Sequence, residues 1–207
     1  IDLQQLCGEI DRLRQAGISI TPNNLKISDR AIICLPYHVQ QDGLEEDRLG
    51  DAKYGSTRRG IAPVYGDKYL KKCIRMGDLL YPEAMKKRLR GIVEWKDLLI
   101  HDGYKADHIS YDEIISWLET YGGQLKDHVC DLGVYLTEQI QNGKSIMFEA
   151  QLGALRDIDF GIYPFTSSSS TISAYAPIGA GIPGKKLDLC IGIMKAYSSC
   201  VGEGPFT

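Results

Sequence analysis

The sequence has no long hydrophobic run and no marked excess of charge of either sign. No apolar stretch approaches the roughly 20 residues that a membrane-spanning helix needs. Lys and Arg together number 24 against 27 Asp and Glu, a formal net charge of −3. That balance excludes a basic field over the whole protein for nucleic acid, although not a local basic patch. The 22 glycines show no three-residue period, which excludes collagen.

Paired metal-binding or redox motifs are also missing. The six cysteines include no C-x-x-C pair and have no histidine at metal-ligand spacing. We therefore expect free thiols in a reducing compartment, most of them in the core. There is no Walker A sequence and no G-x-G-x-x-G, no metal site is predicted, and no signal-peptide pattern opens the chain. The histidines form no cluster, and each is expected at the surface or in the core: His38, His101, His108 and His128.

What is present indicates one folded α/β unit. The chain has 207 residues, of which 43% are hydrophobic and 25% charged, a composition ordinary for a globular protein. Residues 1–143 are predicted to be mainly helical, and residues 144–207 to hold strands and ligand-binding loops. The sequence starts without Met and stops in a Gly/Pro turn, so we expect it to be a piece of a longer chain.

Apolar spacing and turn residues predict the helices. Leu3, Leu6, Ile10 and Leu13 form one helical face, which Gly17 ends. The other predicted helices run from Pro36 to near Gly50 with charged residues on the exposed face, from Pro63 to about Cys73, after Pro82, over Tyr111 to Leu118, and over Leu132 to Ile140.

Four segments are predicted to be strands. Two are short, Leu25 to Ser28 and Ala31 to Leu35. Ser145 to Phe148 is a compact apolar run of the kind buried in parallel sheets, and Leu187 to Tyr197 is a second apolar candidate. Together they predict part of a mainly parallel sheet flanked by helices.

Three places could carry chemistry. The first is the loop Gly55 to Gly60, which combines hydroxyls and two arginines before a helix N-terminus, where anions bind; a capped helix with solvated arginines is the alternative. The second is a set of four cations with helical spacing, which would meet a phosphate or a partner chain, or form a solvated face: Lys68, Lys71, Lys72 and Arg75.

The third place follows the predicted strand at Phe148. Polar residues from Glu149 to Asp159 stand at the carboxyl end of that strand, where ligands bind in open parallel sheets. A hydroxyl-rich run, Thr166 to Thr171, comes next and can donate to phosphate oxygens. A turn-rich connection whose carboxylates cap helices is the alternative, and position and residue types together favour a ligand-binding loop.

Three blocks of the sequence resemble the adenylosuccinate synthetase family. Residues 55–71 read GSTRRGIAPVYGDKYLK, close to the family pattern G-[ST]-T-x-[RK]-G-I-G-P-x-Y-x-x-K-x-x-R, and IRMGDL at 74–79 continues the match. Residues 157–165, DIDFGIYPF, are similar to D-I-D-x-G-T-Y-P-[FY]. Residues 195–206, KAYSSCVGEGPF, are similar to K-A-Y-[ST]-T-R-V-G-x-G-P-F.

The resemblance implies a GTP-dependent ligase of purine biosynthesis. The family joins L-aspartate to IMP with GTP as phosphoryl donor and Mg²⁺ as metal, in a P-loop-NTPase-like synthetase fold. Its G-D-E-G-K-G loop, the catalytic Asp and His, the aspartate-binding loop and the N-K-x-D guanine motif have no counterpart here. The chain therefore matches the middle of the family, is expected to be inactive alone, and contains none of the catalytic residues.

The resemblance also assigns residues to an IMP site. Thr57 matches a Thr that binds the nucleotide phosphate, and Ser167 replaces another Thr while keeping the hydroxyl. Lys71 stands where an Arg reaches the IMP of the neighbouring subunit, so it keeps the charge without the bidentate fork. Leu152 occupies the position of a Gln, which Gln151 replaces if the alignment slips by one residue. Ala62 and Cys200 replace a Gly and an Arg of the patterns.

The family's partners and location follow as expectations. IMP, L-aspartate and GTP are the expected small-molecule partners, in a cytoplasmic homodimer joined through the helix of Lys68, Lys71, Lys72 and Arg75. Neither nucleic acid nor a membrane is an expected partner. The alternative is a non-catalytic remnant of the family that binds a nucleotide or only dimerises.

Overall fold

The computed structural model describes residues 1–197, 199 and 201–205. Most of its regular structure is helical and lies within the first 141 residues. The helices are α1 (Leu3–Gln15), α2 (Pro36–Leu49), α3 (Ile61–Tyr69), α4 (Pro82–Asp97), α5 (Tyr111–Trp117), α6 (Gly123–Leu125), α7 (Leu132–Gln141) and α8 (Ala176–Gly179).

Tighter or wider turns extend and connect these helices. π-helical turns follow α4 (Leu98–Gly103) and α5 (Leu118–Gly122). The 3₁₀ turns are Gly50–Ala52, Met76–Leu80, Lys126–His128, Ala154–Arg156 and Ser173–Tyr175. No helix in the described part of the chain is long and apolar enough to cross a bilayer.

Several helices begin where the sequence offers an acceptor or a proline. The Asp2 carboxylate accepts the Gln5 N–H at 3.1 Å at the start of α1, and Asp131 serves α7 in the same way. Such caps satisfy amides that have no partner inside the helix. Pro36 and Pro82 are the first residues of α2 and α4, a position that requires no N–H.

The sheet is small and parallel. β1 (Ile27–Ser28) pairs with β2 (Val129–Cys130), and Ile27 lies opposite Val129. Helices around a parallel pair confirm an α/β fold in this coarse sense. The strand predicted at Ala31 to Leu35 is wrong, because that segment makes only an isolated bridge between Ile32 and Arg75.

One apolar core holds the helical region together. It takes the buried faces of α1, α4 and α5 and the segments on either side of β1. Of the four residues predicted to form the apolar face of α1, Leu3 and Ile10 are buried and Leu6 packs against the core, whereas Leu13 is 40% exposed. The least exposed members of the core are Leu3, Ile33, Leu35, Ile74, Met76 and Leu89.

The two apolar strands predicted in the last third of the chain are wrong. Neither Ser145 to Phe148 nor Leu187 to Tyr197 contains a strand residue. Met147 is 89% exposed and Ile193 is 96% exposed. A strand exists only where a neighbour pairs with its N–H and C=O groups, and the described residues place no strand beside these segments.

Candidate functional site

The loop of residues 56–60 is fastened to α2 by a buried carboxylate. Asp42 is 5% exposed. Its Oδ1 accepts a hydrogen bond from the Ser56 hydroxyl at 2.7 Å, and its Oδ2 accepts one from the Gly60 N–H at 2.8 Å. One side chain of α2 thus binds both ends of the loop.

A second carboxylate of α2 holds the residues just before that loop. Glu46, also 5% exposed, accepts the N–H groups of Tyr54 at 3.2 Å and Gly55 at 3.0 Å. The sequence predicts the acids of this helix on its exposed face, and for Asp42 and Glu46 that prediction is wrong. Their four-residue spacing, directly before a glycine-bearing loop rich in N–H donors, is the signal that could have found them.

Thr57 and the two arginines occupy the outer part of the loop. The Thr57 side chain is exposed and makes no hydrogen bond to any described residue. The Arg58 guanidinium binds Asp47 Oδ1 at 2.6 Å on the surface, whereas Arg59 forms no ion pair within the described part of the chain. The loop therefore presents a hydroxyl and an unpaired cation to solvent.

A second polar loop, after residue 153, is organised around Asp157. Its Oδ1 accepts the N–H groups of Asp159 at 3.0 Å and Phe160 at 3.1 Å, and its Oδ2 accepts that of Thr171 at 2.7 Å. Burial acts to raise the pKa of the Asp157 carboxyl, but the backbone donors outweigh it and hold that pKa below its ordinary value. Asp157 therefore acts here as a charged acceptor inside the loop.

Ser167 is positioned by a buried arginine of the same loop. The Ser167 N–H donates to the Arg156 carbonyl at 2.8 Å, and its hydroxyl lies 3.2 Å from that of Ser169. The Arg156 guanidinium donates to the carbonyls of Phe165 and Glu203. Arg156 thereby ties the hydroxyl-rich run to the end of the chain.

The first and third places singled out in the sequence are neighbours in space. The Glu203 N–H donates to the Tyr54 carbonyl at 2.8 Å, and the rings of Tyr54 and Phe165 meet edge to face at 6.2 Å. Gly55 has a φ of +70°, and a Cβ there would lie 2.8 Å from the Glu203 nitrogen. The loops that carry Thr57 and Ser167 are therefore joined through residues 201–205.

Gln151 and Leu152 border this joined site without filling it. Both side chains are exposed, and Leu152 is 57% exposed with a φ of +73°. Gly153 anchors the segment, since its carbonyl accepts the Thr171 hydroxyl at 2.7 Å. Neither side chain contacts the Ser167 loop through a hydrogen bond between described residues, so the choice between the two stays a prediction.

The four cations predicted on one helical face do not share a helix. α3 ends at Tyr69, where the Lys71 N–H donates to the Lys68 carbonyl and the Lys72 N–H to the Asp67 carbonyl. This pair of bonds is a Schellman ending, with Lys71 at a φ of +60° where glycine is usual. Only Lys68 lies in α3, so the predicted stripe is wrong.

Three of those cations still line one pocket of about 430 Å³. Arg88 joins them there, although its guanidinium is paired with Asp78 at 3.1 Å. Lys72 does not line this pocket, and its ammonium lies 4.4 Å from the centre of the Trp95 ring. The pocket is lined by Lys68, Lys71, Cys73, Arg75, Asp78 and Arg88.

Beneath the first loop lies a buried ionic network. His38 accepts the Leu35 N–H at Nδ1, and its Nε2 donates to Asp67 at 2.9 Å. Lys96 donates to Asp67 and to Gln41, each at 2.8 Å. These bonds tie α2, α3 and α4 together under the loop.

The network fixes the charge states of its members. Burial lowers the pKa of His38 and outweighs the opposing effect of its hydrogen bond to the Asp67 carboxylate, so His38 is neutral. Burial acts to raise the pKa of Asp67, but the hydrogen bonds of His38 and Lys96 hold it below its ordinary value. Lys96 and Asp67 therefore form the charged pair, and His38 orients it.

The described residues do not fit a metal site. No group of three or more His, Cys, Asp or Glu side chains that could hold a metal ion occurs among them. The five described cysteines are free, and Cys7, Cys34 and Cys73 are buried while Cys190 is exposed. Cys200, which replaces a family Arg, lies outside the described residues.

The fold and the site define an α/β protein whose joined polar loops carry hydroxyl groups. Comparison with known proteins narrows this class. All of residues 1–207 match the family described as adenylosuccinate synthetase, which confirms the resemblance carried by the three sequence blocks. The chain belongs to the adenylosuccinate synthetase family.

Individual relatives agree in both sequence and fold. The chain is 41% identical over 206 residues to adenylosuccinate synthetase of Bacillus cytotoxicus, covering 100% of this chain and 48% of the relative. It is 39% identical to that of Caldanaerobacter subterraneus, with the same coverage. A solved structure of fully ligated adenylosuccinate synthetase from Plasmodium falciparum aligns with a TM-score of 0.87 at 30% identity, over 100% of this chain and 47% of that one. The chain thus spans about half the length of the curated relatives it matches.

Proposed function

We propose that this chain forms the IMP-binding part of an adenylosuccinate synthetase. The whole enzyme would join L-aspartate to IMP with GTP as phosphoryl donor, in the AMP branch of purine synthesis. The observation that carries the proposal is the joined pair of loops, which present the exposed Thr57 hydroxyl and the Ser167 hydroxyl from one connected framework. Hydroxyl and N–H donors of this kind suit a nucleotide phosphate.

The chemistry divides between this chain and the rest of the enzyme. The 6-oxygen of IMP is a poor leaving group until it is phosphorylated, after which the aspartate amine can displace it. Phosphoryl transfer is mostly positioning and charge stabilisation, and this chain would contribute the positioning of IMP. The groups that move protons and hold GTP and Mg²⁺ would come from outside residues 1–207.

Each predicted IMP ligand keeps its proposed role. Thr57 and Ser167 would donate to the phosphate, and Gln151 or Leu152 would border the purine. Lys71 would act from the neighbouring subunit of a homodimer; its exposure and its place in the basic pocket support this. The finer proposals are a P-loop-NTPase-like fold for the complete enzyme, with residues 1–207 as one central region, and a cytoplasmic location.

A full-length protein that carries this segment tests the proposal. With IMP, aspartate and GTP–Mg²⁺ it is expected to make adenylosuccinate, measured by the purine absorbance change, whereas residues 1–207 alone are expected to make none. Thr57→Val removes only the hydroxyl and is expected to raise KM for IMP by about tenfold. Thr120→Val is the matched control, since the Thr120 hydroxyl donates to the Ser116 carbonyl of its own helical turn and lies far from the loop in sequence. A full-length protein that binds IMP but makes no product would indicate a non-catalytic remnant instead.

Mixed subunits test the role of Lys71. Lys71→Ala is expected to weaken IMP binding and Lys71→Arg to restore it, because the guanidinium offers a bidentate contact. Mixing full-length Lys71→Ala with full-length Thr57→Val should regenerate one site that has both residues. A mixture that binds IMP no better than either variant alone contradicts a role across the subunit boundary.

A further inference from the structure

We propose that Asp42 is the positioning residue of the Ser56–Gly60 loop, and that it sets the loop conformation in which Thr57 faces the nucleotide phosphate. The inference rests on the proposed function and deepens it. Asp42 lies outside the three sequence blocks that carry the family resemblance, and its role comes from its contacts alone. It is not a catalytic residue, because the loop stands between its carboxylate and any ligand of Thr57.

The carboxylate uses both oxygens on opposite ends of the loop. The Ser56 hydroxyl donates to Oδ1, and the Gly60 N–H donates to Oδ2. Because the Ser56 hydrogen points to Asp42, its oxygen is left to accept the Arg58 N–H, which it does at 3.1 Å. Three of the five residues in the loop are therefore ordered, directly or through one intermediate, by a single buried charge.

The N–H donors of the loop that Asp42 does not bind are available to a phosphate. The backbone N–H groups of Thr57 and Arg59 have no acceptor among the described residues, and both side chains are exposed. Ser56 and Gly60 turn inward to Asp42, so the residues between them turn outward. The alternation separates donors that build the loop from donors available to an anion.

The backbone of the loop is one that a free peptide disfavours. Arg58 has a φ of +54° and Gly60 one of +78°, in the left-handed region that side chains other than glycine rarely adopt. A Cβ on Gly60 would lie 2.8 Å from the Val39 nitrogen of α2. This close approach to α2 brings Gly60 within reach of Asp42 and requires glycine there.

Asparagine tests the need for two acceptors without changing the shape of the side chain. Its amide offers one oxygen and one NH₂ group, so one inward donor of the loop must face another donor. In a full-length protein that carries this segment, Asp42→Asn is expected to raise KM for IMP by about tenfold, the effect of one lost hydrogen bond to a charged group. We expect kcat to change by less than about threefold, because the chemistry uses other residues.

Asp47→Asn is the matched control. Asp47 lies on α2, contacts the same loop and carries the same charge, but it bonds only the exposed Arg58 guanidinium. Exposed ion pairs contribute little, so KM for IMP should stay within about twofold. Equal effects of Asp42→Asn and Asp47→Asn would mean that KM depends on negative charge on α2 and not on the two hydrogen bonds of Asp42. That result would overturn the inference.

Ser56→Ala tests the same contact from the loop side and carries the test if Asp42→Asn does not fold. It is expected to raise KM for IMP in the same direction, and the double variant should be no worse than the more affected single one, since the two residues act as a unit. Independent, additive effects of the two substitutions on KM would contradict a positioning role of the Asp42–Ser56 hydrogen bond.

Amide hydrogen exchange separates this inference from the proposed function. In the full-length protein, Asp42→Asn should speed exchange at Gly60 by about tenfold or more while leaving the Leu89 amide of the core unchanged. A full-length wild-type protein that neither binds nor converts IMP would overturn the proposed function and this inference with it. An IMP-active wild type in which Asp42→Asn loosens Gly60 but leaves KM unchanged would overturn this inference alone.

Discussion

Residues 1–141 and the described residues from 144 to 205 bury very different shares of their apolar side chains. The first region buries many of them in one core, to which no residue after Val129 contributes among those described. In the second region Met147, Ile193 and Met194 are each at least 89% exposed. Among the described residues of the second region Ile182 is buried, at 5% exposed, so the two regions differ in degree. The second region is held instead by polar contacts around Asp157 and Arg156.

The largest effect should come from removing a core side chain of the first region. Leu89 on α4 is fully buried, so Leu89→Ala is expected to lower the free energy of unfolding by about 3 kcal/mol through lost contacts and a cavity. Urea unfolding of the 207-residue chain measures this. Leu189→Ala is the matched control because Leu189 is 74% exposed. Equal losses at the two leucines would contradict the contrast between the regions.

Sequence reasoning succeeds where local spacing decides the outcome. The apolar spacing of α1 and the prolines at the starts of α2 and α4 are local signals, and a helix forms at each of them. The fate of Ser145 to Phe148 depends on a neighbouring strand elsewhere, which spacing cannot reveal. An apolar run indicates that a segment is suited to burial, but it does not indicate which other segment would cover it.

The candidate site shows the same limit at single residues. The family resemblance assigns Thr57 and Ser167 to the site, but Asp42 and Glu46 look like surface acids of a helix until the loop is seen folded onto them. Lys71 continues a helical charge pattern in sequence, yet its positive φ ends α3. In each case a long-range or backbone effect overrides the pattern.

The stability of the first region should depend on pH through His38. His38 is neutral in the folded protein because burial lowers its pKa, whereas an unfolded histidine gains a proton below about pH 6.5. The unfolded state then binds more protons, so stability falls as the pH drops below that value, by up to about 1.4 kcal/mol per pH unit. The carboxyl of Asp67, with its lowered pKa, adds its loss only below about pH 4.

His38→Gln isolates the histidine part of this slope. Glutamine does not titrate, so the fall in unfolding free energy between pH 6.5 and about 5 should flatten relative to wild type. Chemical unfolding at a series of pH values gives both curves. Parallel curves for the variant and the wild type would show that His38 does not carry the pH dependence.

In the second region, a change at Asp157 should loosen only the loop around it. In the wild type, the backbone donors around Asp157 share its two carboxylate oxygens. Asp157→Asn leaves them a single carbonyl oxygen. We expect faster proteolytic cleavage between residues 153 and 171 and no change in the unfolding of the helical core. Asp159→Asn is the control, because the exposed Asp159 contributes its N–H and not its carboxylate. A drop in core stability equal to the loosening of the loop would mean that the two regions unfold together.

The smallest effect should follow from changing an exposed apolar residue of the second region. Ile193 is 96% exposed, so Ile193→Ser removes no packing within the described chain and should change the unfolding free energy by less than about 0.5 kcal/mol. Its consequence should lie between molecules, because clustered exposed apolar residues promote association. Sedimentation of the 207-residue chain should show less self-association for Ile193→Ser than for wild type, with Ile18→Ser, on the 49% exposed Ile18 of the first region, as the control. A loss of stability as large as that of Leu89→Ala would mean that Ile193 is buried in solution, and the contrast between the regions would fail at its clearest residue.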